Sequence, residues 1–197
     1  IENATGGAGN DKIIVSTATE SNVLDGSGGT DTVSYEYYST AVTRDLSITT
    51  VQDDDILKNF ENIIGGSGND SFKGNSSNNR IDGGSTGLDT ADYSSNATAV
   101  VVNLNTTVKI AVSNLGAETD TLVSIEKVIG SNYSDTFFSD LSGNNLFVGG
   151  TQSDPAAADV LDYSTMVVTD ASKDYVYLDL SNQNATVKQN NLTTAID

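Results

Sequence analysis

The sequence contains no cysteine, no histidine and no tryptophan, and only one proline and one methionine in 197 residues. Without cysteine there is no disulfide and no thiolate nucleophile. Without histidine there is no Ser-His-Asp triad, no His-ligated zinc and no H-E-x-x-H protease site. A cysteine-free chain fits export from a bacterial cell. Basic residues are scarce too, 9 against 27 acidic ones, for a net charge of −18. That balance argues against nucleic acid, whose phosphates need Lys and Arg. No apolar run approaches the length that spans a bilayer; Ala99 to Val102 is typical of the longest. No signal-peptide pattern is visible. The first residue is Ile1 and the only methionine is Met166, so a segment of a longer or processed protein is expected.

What the chain does have is aspartate and glycine. Of the 27 acids, 21 are Asp and 6 are Glu, and there are 18 Gly. A merely solvated acidic surface uses Glu freely, so the Asp excess points to turns and ion ligands. So many carboxylates also repel one another, which calls for bound cations. The glycines and aspartates are ordered. Gly65-Gly66-Ser67-Gly68-Asn69-Asp70-Ser71-Phe72-Lys73 fits G-G-x-G-x-D-x-U-x, with U a large apolar residue. Gly6-Gly7-Ala8-Gly9-Asn10-Asp11-Lys12-Ile13-Ile14 fits it again. Gly26 to Val33 fits with Ser27 in the second place, and Gly83 to Ala91 carries one extra residue. Gly130 to Phe138 and Gly149 to Leu161 are looser copies. Glycine lets a tight turn aim several carbonyls at one point, and the aspartate adds anionic oxygen. Calcium wants that donor set: six to eight hard oxygens.

The copies fall into three cycles, 1–59, 60–124 and 125–197, within one domain. Glu2, Glu61 and Glu126 each follow an apolar residue and stand four residues before Gly6, Gly65 and Gly130. Asn22, Asn79 and Asn145 stand four residues before Gly26, Gly83 and Gly149. Asp31, Asp89 and Asp159 stand four residues before Tyr35, Tyr93 and Tyr163. Successive steps of about 20 residues fit one coil of stacked short strands, so a cycle reads as three coils. Ile13, Val23, Val33, Phe72, Ile81, Phe137, Phe147 and Leu161 are the expected interior. The third part of each cycle alternates with period two, as at Val100 to Leu104 and Val108 to Val112, which signals strand. Continuation of the coil is favoured there over hairpins, and residues 94–124 and 164–197 stay open between the two. Helix is not expected.

These turns resemble the hemolysin-type, or RTX, calcium-binding repeats of exported bacterial proteins. The resemblance implies an all-β, right-handed parallel β-roll. It also implies type I secretion, and a chain disordered at low calcium that folds outside the cell. By position, it makes Asp11, Asp31, Asp70 and Asp89 side-chain ligands, paired Asp11 with Asp31 and Asp70 with Asp89. Carbonyl ligands would come from Gly6, Ala8, Gly26, Gly28, Gly65, Ser67 and Gly83. Asp135 and Asp159 belong to the same set, although their turns depart from the spacing.

Plainer roles suit other residues. The three Asn read as turn caps, the three Tyr as a packing stack, and Asp53-Asp54-Asp55 as a solvated loop. The Glu column reads equally as extra ligands or as acceptors for turn amides. Paired carboxylates suggest a glycosidase, but here they are committed to turns, so no enzyme is expected. The reading is a calcium-stabilised structural segment of a secreted cell-surface protein, of S-layer, filament or adhesin type, with copies of itself as possible partners. The alternatives are a carrier module attached to a toxin or enzyme, and a polysaccharide- or ice-binding module.

Overall fold

The computed structural model describes residues 3–16, 21–104, 106, 108–113, 116–139, 145–150, 158–162, 186–189 and 192–194. Among them there is no α-helix; nearly all strands are three residues long. The short strand follows from the x-U-x pattern around each turn. In Ile56–Lys58 (β6), Asn62–Ile64 (β7), Ser71–Lys73 (β8) and Arg80–Asp82 (β9) the middle side chain is buried and its neighbours are half-exposed. One inward residue per strand is too little apolar surface for a lone coil, so coils must stack.

The stacking is parallel. Asn3–Thr5 (β1) pairs with Val23–Asp25 (β3), which pairs with β6. Thr43–Asp45 (β5), β8, Thr90–Asp92 (β10), Lys127–Ile129 (β14) and Leu146–Val148 (β16) form a second ladder. The long ladder opposite starts with Lys12–Ile14 (β2), Thr32–Ser34 (β4), β7 and β9. In register, Ile13 sits over Val33, Val33 over Ile63, and Ile63 over Ile81. Val33, Ile63, Phe72 and Ile81 are fully buried. This is an all-β, parallel β-roll.

The core departs from expectation at one place. Val23 is half-buried and Leu24 takes the interior position, because Leu24 is the middle residue of β3. Leu24 stands two residues after Asn22, as Ile81 stands two after Asn79. Phe137 is buried; Ile13, Phe147 and Leu161 pack against the core while partly exposed.

The coil count also differs. The first two cycles each hold two and a half coils, not three. The Gly6 and Gly26 turns run into the long ladder, from β1 to β2 and from β3 to β4. The Gly65 and Gly83 turns leave it, from β7 to β8 and from β9 to β10. The Gly130 turn runs into it again, from β14 to Thr136–Phe138 (β15). Equivalent turns of successive cycles therefore lie on opposite edges of the roll. Asp31 and Asp70, 39 residues apart, therefore stand on opposite edges and are not two of the 20-residue steps along one edge.

The reason lies in the third part of the first two cycles, where one rung is split. In the first cycle β5 pairs with the later rung β8, and β6 with the earlier rung β3. An isolated Gln52–Asp55 bridge closes the loop between them. In the second cycle Val101–Asn103 (β11) pairs with the later β15, and Glu118–Val123 (β13) with the earlier β9. Lys109–Ser113 (β12) lies antiparallel between them. For residues 94–124 both open readings therefore hold, since the ladder continues and a meander is built into it; of 164–197 only 186–189 and 192–194 are among the described residues. At the far end Val160–Asp162 (β17) pairs with Thr186–Gln189 (β18) in parallel, and β18 with Leu192–Thr194 (β19) antiparallel. Tyr163 lies outside the described residues.

Phe72 fills the interior with no exposed surface. Phe72→Ala should cost about 3–5 kcal/mol in a denaturant melt with calcium present. Val51→Ala, at a side chain 64% exposed, should stay within about 0.5 kcal/mol of the parent.

Candidate metal centre

The Gly6, Gly65 and Gly130 turns share one hydrogen-bond plan; in the Gly26 and Gly83 turns the amide after the first glycine turns back to the strand before it, Ser27 N to Asp25 Oδ1 at 2.9 Å and Gly84 N to Asp82 Oδ1 at 3.1 Å. In the shared plan that amide donates to the aspartate four residues on: Gly7 N to Asp11 Oδ2 at 2.6 Å, Gly66 N to Asp70 Oδ2 at 2.8 Å, Ser131 N to Asp135 Oδ2 at 2.6 Å. The other carboxylate oxygen reaches the turn stacked before it. Asp11 N donates to Asp31 Oδ1 at 2.7 Å, Asp70 N to Asp89 Oδ1 at 2.7 Å, and Asp135 N to Asp159 Oδ1 at 2.9 Å. The expected pairs are thus neighbours. Asp135 and Asp159 pair in the same way despite their irregular spacing, since the insertion before Asp159 leaves the turn's end in register.

The staircase has defined ends. Val42 N donates to Asp70 Oδ1 at 2.8 Å and Val100 N to Asp135 Oδ1 at 2.7 Å, so the wide turns after Tyr35 and Tyr93 begin a stack. Asp31 N donates to Glu61 Oε2 at 2.8 Å and Asp89 N to Glu126 Oε2 at 3.0 Å, so the glutamates close a stack.

The first glycine of each turn is there because oxygens crowd it. A Cβ on Gly6 would lie 2.5 Å from Gly26 O and 2.6 Å from Asp11 Oδ2. One on Gly65 would meet Gly83 O at 2.5 Å and Asp70 Oδ2 closer still. Gly130 and Gly149 are crowded in the same way by Asp135 and Asp159 Oδ2.

Four of these carboxylates, Asp31, Asp70, Asp89 and Asp135, have no ion pair among the described residues. Asp31, Asp70, Asp89 and Asp135 are each at most 1% exposed. Ion pairs among the described residues use Glu36, Asp53, Asp55, Asp92 and Asp82, none of them a turn aspartate. Burial raises the pKa of Asp70 and of Asp135. Asp89 is pushed up to about 6, first by burial and then by the charges of Asp70, Glu126 and Asp82. Asp31 Oδ2 is buried with no hydrogen-bond partner. Orphaned buried carboxylate oxygen beside convergent carbonyls, with no nitrogen or sulfur donor, fits calcium.

The sequence profile of the RTX calcium-binding nonapeptide repeat, four copies long, matches residues 60–86. The chain carries hemolysin-type calcium-binding repeats. Calcium is their ion. The matched span holds the Gly65 turn, the turn ending at Asn79 and the start of the Gly83 turn. The likeness of the remaining RTX-type turns is carried by the shared hydrogen bonds above. No curated protein matches the chain.

Asn79 stands in a turn of the same build, with Asn for Asp. Asn75 N donates to Asn79 Oδ1 at 2.9 Å, and Asn79 N to Asp120 Oδ1 at 2.8 Å. Tyr93 Oη donates to Asp120 Oδ2 at 3.0 Å. In the first cycle Asn22 Nδ2 donates to Asp55 Oδ1 at 2.8 Å, and Asp55 also faces Arg44 at 3.4 Å. Asp55 is 4% exposed, so the Asp53 to Asp55 segment is not uniformly solvated; Asp53 and Asp54 are exposed. No residue pattern marks Asp120, which sits in a plain alternating strand. Tyr35 and Tyr93 are buried packing residues, as expected, that also hydrogen-bond to Arg44 and Asp120.

Two outcomes follow from these contacts. Asp70→Asn should weaken calcium binding by about tenfold or more, read by calorimetric titration, while exposed Asp54→Asn leaves it unchanged. Asp120 is pushed up to about 6, chiefly by burial, so its charged form opposes folding as pH rises through that value. Asp120→Asn should therefore gain Tm over the parent at pH 7, and the gain should shrink toward pH 5. Comparing the two proteins at each pH in saturating calcium cancels proton competition at the ion sites.

Proposed function

We propose that this chain is a calcium-stapled structural segment of a secreted bacterial surface protein, with Asp11, Asp31, Asp70, Asp89, Asp135 and Asp159 as the carboxylate ligands. Carbonyls of Gly6, Ala8, Gly26, Gly28, Gly65, Ser67 and Gly83 complete the donor set. The observation that carries the reading is the stacking of turn aspartates from successive coils, with Asp31, Asp70, Asp89 and Asp135 buried and in no ion pair among the described residues. A cation between turns joins coil to coil, so its binding free energy is folding free energy. A site with calcium at a thousand times its dissociation constant adds about 4 kcal/mol. Several such sites exceed the typical net stability of a domain, about 5–15 kcal/mol. The ion then decides whether the chain is folded.

That logic suits export. A chain kept unfolded where calcium is low, and folded where it is millimolar, is easily threaded out of a cell. The role is structural and not catalytic: the carboxylates that could do acid–base work are spent on turns. Among the described residues no helix is long and apolar enough to cross a membrane. A surface layer, filament or adhesin stalk is the favoured setting, with further copies or cycles as neighbours. A carrier segment for a toxin or enzyme is the second reading, favoured by the same calcium-gated folding.

Circular dichroism with calcium should show strand, and excess chelator should leave a largely disordered chain. An equally folded chain in chelator would overturn the calcium-driven part. A catalytic domain elsewhere in the full-length protein would favour the carrier; tandem cycles throughout would favour the structural role.

A further inference from the structure

Two short turns, Asn59-Phe60-Glu61 and Ser124-Ile125-Glu126, have no Gly-Asp motif. They nevertheless occupy the next step of the staircase. Where Gly26 O crowds the missing Cβ of Gly6, Asn59 O crowds that of Gly26, beside Asp31 Oδ2 at 2.7 Å. Where Gly83 O crowds Gly65, Ser124 O crowds Gly83, beside Asp89 Oδ2 at 2.5 Å. Each short turn so presents a carbonyl at the place a Gly-Asp turn would. The carbonyl is aimed there by a left-handed residue, φ 53° at Asn59 and 48° at Ser124. Phe60 and Ile125, each 1% exposed, pin the turns to the core. Glu61 and Glu126 then take the aspartate's part, accepting the amide of the preceding Asp through one carboxylate oxygen.

The observation that points to a ligand is separate from this geometry. Asp31 is 1% exposed, and its Oδ2 is the buried side-chain atom among the described residues that has no partner. It lies on the side of Gly26 where Asn59 O converges. Its other oxygen already serves Asp11 N. A buried anionic oxygen without a partner is costly, and a cation there removes the cost.

We infer that each of these two stacks holds a second calcium ion, between its last Gly-Asp turn and the short turn, with Asp31, Asn59 O and Glu61 as ligands in the first cycle and Asp89, Ser124 O and Glu126 in the second. The inference rests on the calcium reading of the Gly-Asp turns and extends it to residues outside the repeat motif. The short turn is then a metal-bound cap. A glutamate reaches the site from a turn too short to carry the aspartate, because its side chain is one methylene longer.

The test is a calcium count by equilibrium dialysis on the chain and on Glu61→Gln/Glu126→Gln. Glutamine keeps an acceptor for the Asp31 and Asp89 amides but loses the charge. The double variant should stay folded in calcium and bind two fewer ions, or hold two of them about tenfold or more weaker. Unchanged number and affinities would overturn the inference. A parent chain that binds no calcium would instead overturn the reading it rests on. Should the variant not fold, crystals of the parent soaked in terbium decide. Anomalous peaks between Asp31 and Asn59 and between Asp89 and Ser124 support the caps. Peaks between Asp11 and Asp31 and between Asp70 and Asp89 with none at the caps overturn them.

Discussion

A buried carboxylate that accepts the backbone amide of the coil beside it is the contact on which this structure turns. Asp31 and Asp89 each do so for the preceding aspartate of their stack, and the half-buried Asp159 makes the same bond. The hydrogen bond sets the register between coils, and the negative charge it brings inside creates the need for a cation. Hydrogen bonds to amides favour the charged carboxylate, while burial opposes it. At Asp89 burial prevails. The protein side of the site is therefore incomplete by design of its charges: the coils are aligned but repelled until an ion sits between them.

The apolar core is thin for the same reason. Each three-residue strand sends one side chain inward, so a coil has little to gain from folding alone. Stacking Val33, Ile63 and Ile81 in register gives a continuous apolar column, and the turns decide whether that column forms. Where no ion is available to a buried acid, the chain supplies another solution. Arg44 answers Asp55 in the first cycle. In the second, Val102 follows Val100 as Arg44 follows Val42, and Tyr93 and Asn79 hold Asp120 by hydrogen bonds alone.

Much of this was legible in the residues. The Gly and Asp columns located the turns, and the Asp pairs are neighbours as their spacing implied. The apolar eighth position of the nonapeptide named the interior at Phe72, and Val33 and Ile81 occupy like places. Val23 failed because a three-residue strand gives no alternation long enough to fix which residue points in. The two-and-a-half-coil cycle was hidden because spacing along the chain does not reveal which edge a turn occupies. Asp120 and Asp55 were hidden because their partners come from turns 41 and 33 residues away. The short turns were half visible: the Glu column was plain, but the carbonyls of Asn59 and Ser124 carry no residue signature.

An odd number of half-coils per cycle has a mechanical effect. Ion columns alternate between the two flanks of the molecule, as lacing crosses from one side to the other. Pulling calcium from one column loosens one flank of one cycle, while its neighbours stay fastened on the flank opposite. A long array built this way would bend in a zigzag as it lost ions, instead of peeling open along a single seam.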